Sequence, residues 1–77
     1  MSEPKLVDAR GGFCPGPLME LIATLKTLEV GQSLELLSTD EGSAADVPEW
    51  VHKVGHKMGP TSKDADGVWH IVVEKAK

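Results

Sequence analysis

The fold is decided at residues 5–28, which begin Lys5-Leu6-Val7-Asp8-Ala9 and continue into the turn Arg10-Gly11-Gly12-Phe13-Cys14-Pro15-Gly16-Pro17. We predict a short strand over Lys5–Ala9 that ends at the glycine pair, because glycine adopts the left-handed conformations that a sharp turn requires. Apolar residues then recur at the spacing of one helix face, at Leu18, Leu21, Ile22, Leu25 and Leu28. This helix is expected to stop near Gly31.

A second helix is predicted over Ala44–Lys57, and its start has two readings. Ser43 could cap it, but Pro48 would then remove a hydrogen bond inside the helix. Asp46 and Glu49 form an alternative capping box that leaves Pro48 in the first turn, so we expect a firm helix only from Asp46. The apolar stripe of this helix is predicted at Val47, Trp50, Val51, Val54 and Met58.

The remaining strands are predicted from apolar alternation and turn residues. Ser33–Thr39 has the composition of a second strand. Gly59-Pro60 is expected to break the chain after the second helix, and Thr61–Lys63 to form a short polar edge strand. Asp64–Gly67 has the composition of a hairpin turn, and Val68–Glu74 is the predicted last strand.

The predicted element order is therefore β-α-β-α-β-β within one domain that covers residues 1–77. Each helix has one apolar face, so both helices must pack against the sheet. The opening strand–helix–strand unit should be parallel and right-handed. We expect an α/β fold, a two-layer sandwich with a mixed four-stranded sheet and both helices on one face.

Composition narrows the class of function. The 77 residues carry a net charge of −4 and only 4% aromatic residues, which argues against direct nucleic-acid binding because that binding relies on Lys, Arg and stacking rings. One cysteine permits no disulfide within the chain and fits a reducing compartment. No apolar run follows the first residues, so we expect no signal peptide, and the sequence has no apolar run of roughly 20 residues. We expect a cytoplasmic protein with no membrane contact.

Cys14 is the candidate reactive residue. Pro15 suits the first helical position, which puts Cys14 at or next to the N-cap, and Pro17 falls in the first turn, where its missing N–H costs nothing. The exposed amides at this end include that of Gly16. Together with the helix dipole they favour an anion, and we expect them to lower the pKa of the thiol.

Cys14 has three alternative interpretations. It could be a buried structural thiol, since free cysteine is among the most buried residue types. A thiol hydrolase or peroxidase would require the fold to bring a histidine close, and His52, His56 and His70 all lie far along the chain. A dithiol redox cycle needs a second cysteine, which the chain lacks. A thiolate that accepts a group and passes it on fits these residues best.

The residues around Cys14 carry a resemblance to a known family. The run Leu6-Val7-Asp8-x-x-Gly11-x-x-Cys14-Pro15-x-Pro17-Leu18 resembles the TusA (SirA-like) sulfur-carrier family. The similarity continues, at matching spacings, through Gly31-Gln32-Ser33-Leu34, Thr39-Asp40, Asp46-Val47-Pro48-x-Trp50 and Gly55-His56.

The resemblance implies a two-layer sandwich and a function. Cys14 would carry sulfur as a persulfide, supported by the motif residues Gly11, Pro15, Gly16 and Pro17, with Asp40 close to the cysteine turn. A cysteine desulfurase or rhodanese would donate the sulfur, and an acceptor sulfurtransferase, DsrE-like or similar, would receive it. The use could be tRNA thiolation, cofactor biosynthesis or sulfur oxidation. Such a protein is a carrier rather than a self-contained enzyme, needs no cofactor, and is expected to be a monomer when free. The alternative is a regulatory module whose Cys-Pro-Gly-Pro turn only docks a partner.

Several other side chains are candidates for partner docking, metal binding or the core. Arg10, Lys53 and Lys57 could form a basic rim that docks an acidic partner. His52 and His56 have the spacing of a metal pair on one helix face, but no third ligand is evident, and a solvated helix face is the preferred reading. Asp8 and Asp40 lie at predicted strand ends. Each could either cap its loop or influence the pKa of Cys14. Trp50 and Trp69 are expected in the core.

Overall fold

The computed structural model describes residues 4–12 and 16–77, so Phe13, Cys14 and Pro15 lie outside the described residues. Six elements follow one another as β1 (Lys5–Asp8), α1 (Gly16–Leu25), β2 (Ser33–Ser38), α2 (Glu41–Val54), β3 (Lys57–Lys63) and β4 (Trp69–Glu74). The predicted order β-α-β-α-β-β is confirmed.

The four strands form one mixed sheet in the order β1-β2-β4-β3. β1 runs parallel to β2, with Lys5 opposite Leu34. β4 is antiparallel to β2 and to β3, which makes it a central strand although it is the last in sequence. α1 thus connects two neighbouring parallel strands, as the turn and helix spacing of residues 5–28 predicted.

Both helices cover one face of the sheet and bury a single core. Its fully or nearly fully buried members come in pairs from the two helices and the two central strands: Leu21, Leu25, Val47, Val51, Leu34, Leu36, Ile71 and Val73. Burying each such side chain contributes about 1.5–3 kcal/mol. The alternation predicted for β2 and β4 is confirmed, because every second residue of each strand faces this core.

α2 begins earlier than predicted. Its N-cap is Asp40, whose side chain accepts the Ser43 N–H, so neither Ser43 nor Asp46 caps the helix. Pro48 consequently lies inside α2, where a proline costs about 3 kcal/mol because it cannot donate to the preceding turn. The cap at Asp40 and the burial of Val47 and Val51 on either side of Pro48 offset this cost.

The boundary between α2 and β3 also differs from the prediction. α2 ends at Val54 with Gly55 as a left-handed C-cap at φ 90°, so Met58 is not on the helix. β3 starts at Lys57 and includes Gly59-Pro60, with a register irregularity between Met58 and Thr61. The ladder with β4 forces these residues into an extended conformation that their own β-propensity does not favour.

The helices are short. α1 has ten residues and ends at Leu25 rather than near Gly31, as was predicted. Leu28 lies in the turn that follows, where its N–H donates to the Leu25 carbonyl at 3.1 Å, and it still packs against the core. Neither helix in residues 4–12 and 16–77 is long and apolar enough to cross a membrane.

Candidate functional site

The candidate site lies at one end of the sheet, which we call the turn end. Because β1 and β2 are parallel, their last residues, Asp8 and Ser38, lie at the same end. The connections to α1 and α2 leave from there, so the first turns of both helices are brought to this end. Ser38 pairs with Trp69, and Trp69 with Lys63, which completes the turn end across the sheet.

The described part of the cysteine turn is tied to the loop after β2. The Ala9 N–H donates to the Leu37 carbonyl at 2.9 Å, and the Gly12 N–H to the Ala9 carbonyl at 3.2 Å. Gly11 has a φ of 85°, a conformation that favours glycine. Its N–H donates to Thr39 Oγ1 at 3.1 Å. The turn that leads to Cys14 is therefore anchored next to Asp40, although Cys14 itself lies outside the described residues.

Asp8 and Arg10 form an exposed bidentate pair at the start of this turn. Arg10 Nε and Nη2 donate to the two carboxylate oxygens of Asp8 at 2.8 and 2.7 Å. The guanidinium and the backbone N–H of Arg10 hold the pKa of Asp8 down at about 2, and the carboxylate in turn raises the pKa of Arg10. Asp8 therefore neutralises much of the charge that Arg10 was expected to offer a partner.

Asp40 holds the loop between β2 and α2. Its Oδ2 accepts both the N–H and the O–H of Ser43, each at 2.9 Å. Its own N–H donates to Ser38 Oγ at 3.1 Å. Ser38 and Ser43 are fully buried, so these bonds satisfy polar groups that water does not reach. The loop-capping reading of Asp40 is thus realised in the structure.

The first turn of α1 pairs an exposed glycine with a buried proline. Gly16 is exposed, and a Cβ added to it would lie within 4 Å of no described residue beyond its neighbours in the helix. Pro17 is fully buried and fixes the start of the helix against the core. The next residue, Leu18, borders a groove of about 210 Å³ together with Asp46, Glu49, Trp50 and Lys53. We call this the Leu18 groove.

The three predicted rim residues are not brought together. Arg10 is at the turn end and paired with Asp8, whereas Lys53 borders the Leu18 groove. Lys57 pairs with Glu74, at the opposite end of the sheet from the turn. Sequence reasoning missed Lys63, which does lie at the turn end. Its ammonium is 3.6 Å from a Glu41 carboxylate oxygen and 5.4 Å from the centre of the Trp69 ring. Its position directly before the hairpin turn was the available signal.

The histidines do not form the pair that their spacing suggested. α2 ends at Val54, so His56 is not on the helix that carries His52. His56 instead accepts the Ala76 N–H on Nδ1 at 3.1 Å, and its ring lies 6.0 Å from that of Trp50. Among residues 4–12 and 16–77, no three His, Cys, Asp or Glu side chains are grouped so as to hold a metal ion.

His70 is engaged by carboxylates on both ring nitrogens. Nδ1 lies 2.7 Å from Glu35 Oε2 and Nε2 lies 2.9 Å from Asp64 Oδ2. The hydrogen bond to Asp64, and next that to Glu35, raise the pKa of His70, while His70 lowers the pKa of Asp64. This arrangement ties β2, β4 and the β3–β4 turn together. It was not foreseen, because only the register of β2 with β4 brings Glu35 and His70 into range.

Both tryptophans pack against the core and are half-buried, as expected. Trp50 also borders the Leu18 groove. The indole N–H of Trp69 is buried and has no hydrogen-bond partner in the part of the chain that the structure describes. Trp69 therefore contributes to the turn end mainly through apolar contact and the Lys63 ammonium over its ring.

Comparisons with known proteins agree with the geometry. The family described as sulfurtransferase TusA matches residues 5–75. A putative sulfur carrier protein of Archaeoglobus fulgidus is 58% identical over 72 residues, which cover 94% of this chain and 97% of the relative. The sulfur carrier protein TusA of Allochromatium vinosum is 31% identical over 70 residues, 91% of either chain.

A solved structure supports the fold. The crystal structure of a SirA-like protein from Desulfitobacterium hafniense superposes with a TM-score of 0.83 and covers 94% of this chain and 97% of its own. At 20% identity this likeness speaks for the two-layer architecture alone. The family match over nearly the whole chain and the two relatives lead to one conclusion: the chain belongs to the TusA sulfurtransferase family.

Proposed function

We propose that this protein is a sulfur carrier that accepts a sulfane sulfur on Cys14 and passes it to a partner protein. The observation that carries the proposal is the family match, which spans residues 5–75 and so includes the only cysteine of the chain. Family membership also implies a donor and an acceptor protein. A cysteine desulfurase or rhodanese as donor, and a DsrE-like sulfurtransferase as acceptor, are the partners we propose.

The turn end supports this role through its anchoring. The turn before Cys14 is held by Thr39 and Leu37, and the first turn of α1 includes the fully buried Pro17. The chain on both sides of the thiol is therefore fixed, while Gly11, Gly12 and Gly16 are exposed. A partner protein can therefore reach these three glycines, which stand on either side of Cys14 in the sequence.

The chemistry needs only thiols and is balanced. The Cys14 thiolate attacks the outer sulfur of a donor persulfide, so a new S–S bond forms on Cys14 while the donor S–S bond breaks and the donor thiolate leaves. Delivery is the same exchange in the other direction, because an acceptor thiolate attacks the outer sulfur and Cys14 leaves as thiolate. No external oxidant or reductant is consumed. Gly11, Pro15, Gly16, Pro17 and Asp40 are proposed to support the turn.

The test compares the same thiol with and without the fold. The purified chain, its Cys14→Ser variant and a synthetic peptide of residues 8–22 are incubated with a cysteine desulfurase and cysteine. Intact mass spectrometry then follows the gain of one sulfur atom. We expect the folded chain to gain one sulfur, faster than the peptide, and the variant to gain none.

Two results would count against the carrier role. An unmodified folded chain would favour the alternative in which the turn only docks a partner. Equal rates for the folded chain and the peptide would mean that the domain contributes nothing to the exchange. Arg10→Ala and Lys53→Ala, measured in the same assay, test whether the loss of either proposed docking side chain slows sulfur uptake. Lys57→Ala is the matched control, because Lys57 lies at the other end of the sheet.

A further inference from the structure

A second concave site lies away from the turn end. It has a volume of about 150 Å³ and is lined by Ile22, Leu25, Lys26, Trp50, His56 and Lys75. We call it the Trp50 pocket. It lies between the last turn of α1, the middle of α2 and the residues that follow α2 and β4. It shares only Trp50 with the Leu18 groove.

The floor of the Trp50 pocket is apolar. Ile22, Leu25 and the Trp50 ring supply it, and Leu25 is 3% exposed. At about 30 Å³ for each water-sized group, the volume corresponds to about five heavy groups. It is smaller than the roughly 300–1,000 Å³ of sites for drug-sized ligands. The floor therefore accepts a compact aliphatic body.

The rim of the pocket carries cations. The Lys75 ammonium donates to the Leu28 carbonyl at 2.7 Å, which holds it in place and leaves two of its three N–H donors. Lys26 is exposed and forms no ion pair with any residue in the described ranges. Two lysine side chains thus line a pocket with an apolar floor, in a protein whose net charge is −4.

His56 adds a hydrogen-bond donor to the pocket lining, and the donating ring nitrogen can be assigned. Its Nδ1 accepts the Ala76 N–H at 3.1 Å, so in the neutral ring the proton is on Nε2. The Trp50 ring, 6.0 Å away at an interplanar angle of 40°, packs beside the imidazole. No carboxylate from residues 4–12 and 16–77 lines the pocket, whereas Asp46 and Glu49 line the Leu18 groove, which also includes Trp50.

We propose that the Trp50 pocket binds a small free carboxylic acid with a short branched aliphatic body. The body would lie on Ile22, Leu25 and Trp50, and the carboxylate would lie between Lys26, Lys75 and His56. Positive charge on the rim without a compensating acid selects an anion, and the small apolar floor selects its size. The inference does not depend on the sulfur-carrier proposal, because Cys14 takes no part in it.

The test follows the two indole N–H signals by NMR while 4-methylpentanoate is added to the full chain. Trp50→Phe assigns the two signals. We expect a saturable shift at Trp50 and little at Trp69. The matched neutral probe, 4-methylpentanamide, should bind at least about threefold more weakly, since it loses the ion pairs. Lys26→Gln should weaken binding of the acid by a similar factor. Lys53 is also exposed but lies on the Leu18 groove, so Lys53→Gln should leave the affinity unchanged.

Three outcomes would overturn the proposal. The first is equal binding of acid and amide, and the second is an unchanged affinity in Lys26→Gln. The third is tighter binding of N-acetyl-Gly-Leu with a free carboxylate than of 4-methylpentanoate, which would assign the pocket to the C-terminus of a protein chain. A persulfide assay on the same samples keeps the two proposals apart, since Lys26→Gln should not change sulfur uptake at Cys14.

Discussion

Replacing Asp40 by alanine should destabilise the protein strongly, because one carboxylate oxygen serves two donors of a buried residue. Oδ2 accepts the Ser43 N–H and O–H at 2.9 Å each, and Ser43 is fully buried. Loss of the N-cap costs about 1 kcal/mol, and leaving buried donors unpaired costs about 1–3 kcal/mol more. We expect Asp40→Ala to lower the free energy of unfolding by about 2–4 kcal/mol in total. For a domain of this size the melting temperature should fall by about 10–30 °C.

The matched control keeps the acceptor and removes the charge. Asp40→Asn retains a side-chain carbonyl at the N-cap, where asparagine is about as good as aspartate, so it should lose less than about 1 kcal/mol. Both variants are measured by urea unfolding, followed by circular dichroism at helical wavelengths. Equal losses for alanine and asparagine would refute the argument from hydrogen bonding. A loss below about 0.5 kcal/mol for alanine would refute the estimate of its size.

Two further predictions concern pH and backbone conformation. The pKa of His70 is raised above the ordinary value of 6.5, so its stabilising contribution is complete below that value and is lost as the pH rises through the raised pKa. The melting temperature should therefore decline on the alkaline side, and His70→Gln should flatten this decline; parallel profiles would contradict the assignment. Gly55→Ala should cost about 1–2 kcal/mol in urea unfolding, because φ is 90° there. Gly16→Ala should cost far less, because its Cβ would lie within 4 Å of no described residue beyond its neighbours in the helix, and similar losses would show that φ is not the cause.

Most of the fold could be predicted because the sequence is locally consistent. The leucine spacing of α1, the alternation in β2 and β4 and the turn at Asp64–Gly67 each agree with the final sheet. The start of α2 could not be predicted, because Pro48 lies inside the helix, where proline is normally excluded. The helix continues through it because Asp40 caps its start and because Val47 and Val51 are buried on either side of Pro48.

The candidate site was predicted less completely than the fold. The family resemblance implied that Asp40 lies close to the cysteine turn, and in the described residues Gly11 donates to Thr39, the neighbour of Asp40. The position of Lys57 was predicted wrongly because β3 is longer than expected. A strand of seven residues places its first residue, Lys57, at the end of the sheet opposite the turn end. The contact between His70 and Glu35 joins residues 35 apart in sequence and depends on strand register, which composition does not specify.

The irregular register of β3 has a consequence for self-association. β1 and β3 are the two edges of the sheet, and an exposed edge can pair with another copy through its free backbone groups. Pro60 has no N–H to offer, and the irregularity between Met58 and Thr61 interrupts the straight ladder that an added strand would need. At the other edge β1 has only four residues. Both borders thus discourage strand addition, and smoothing β3 by Pro60→Val would be expected to promote aggregation.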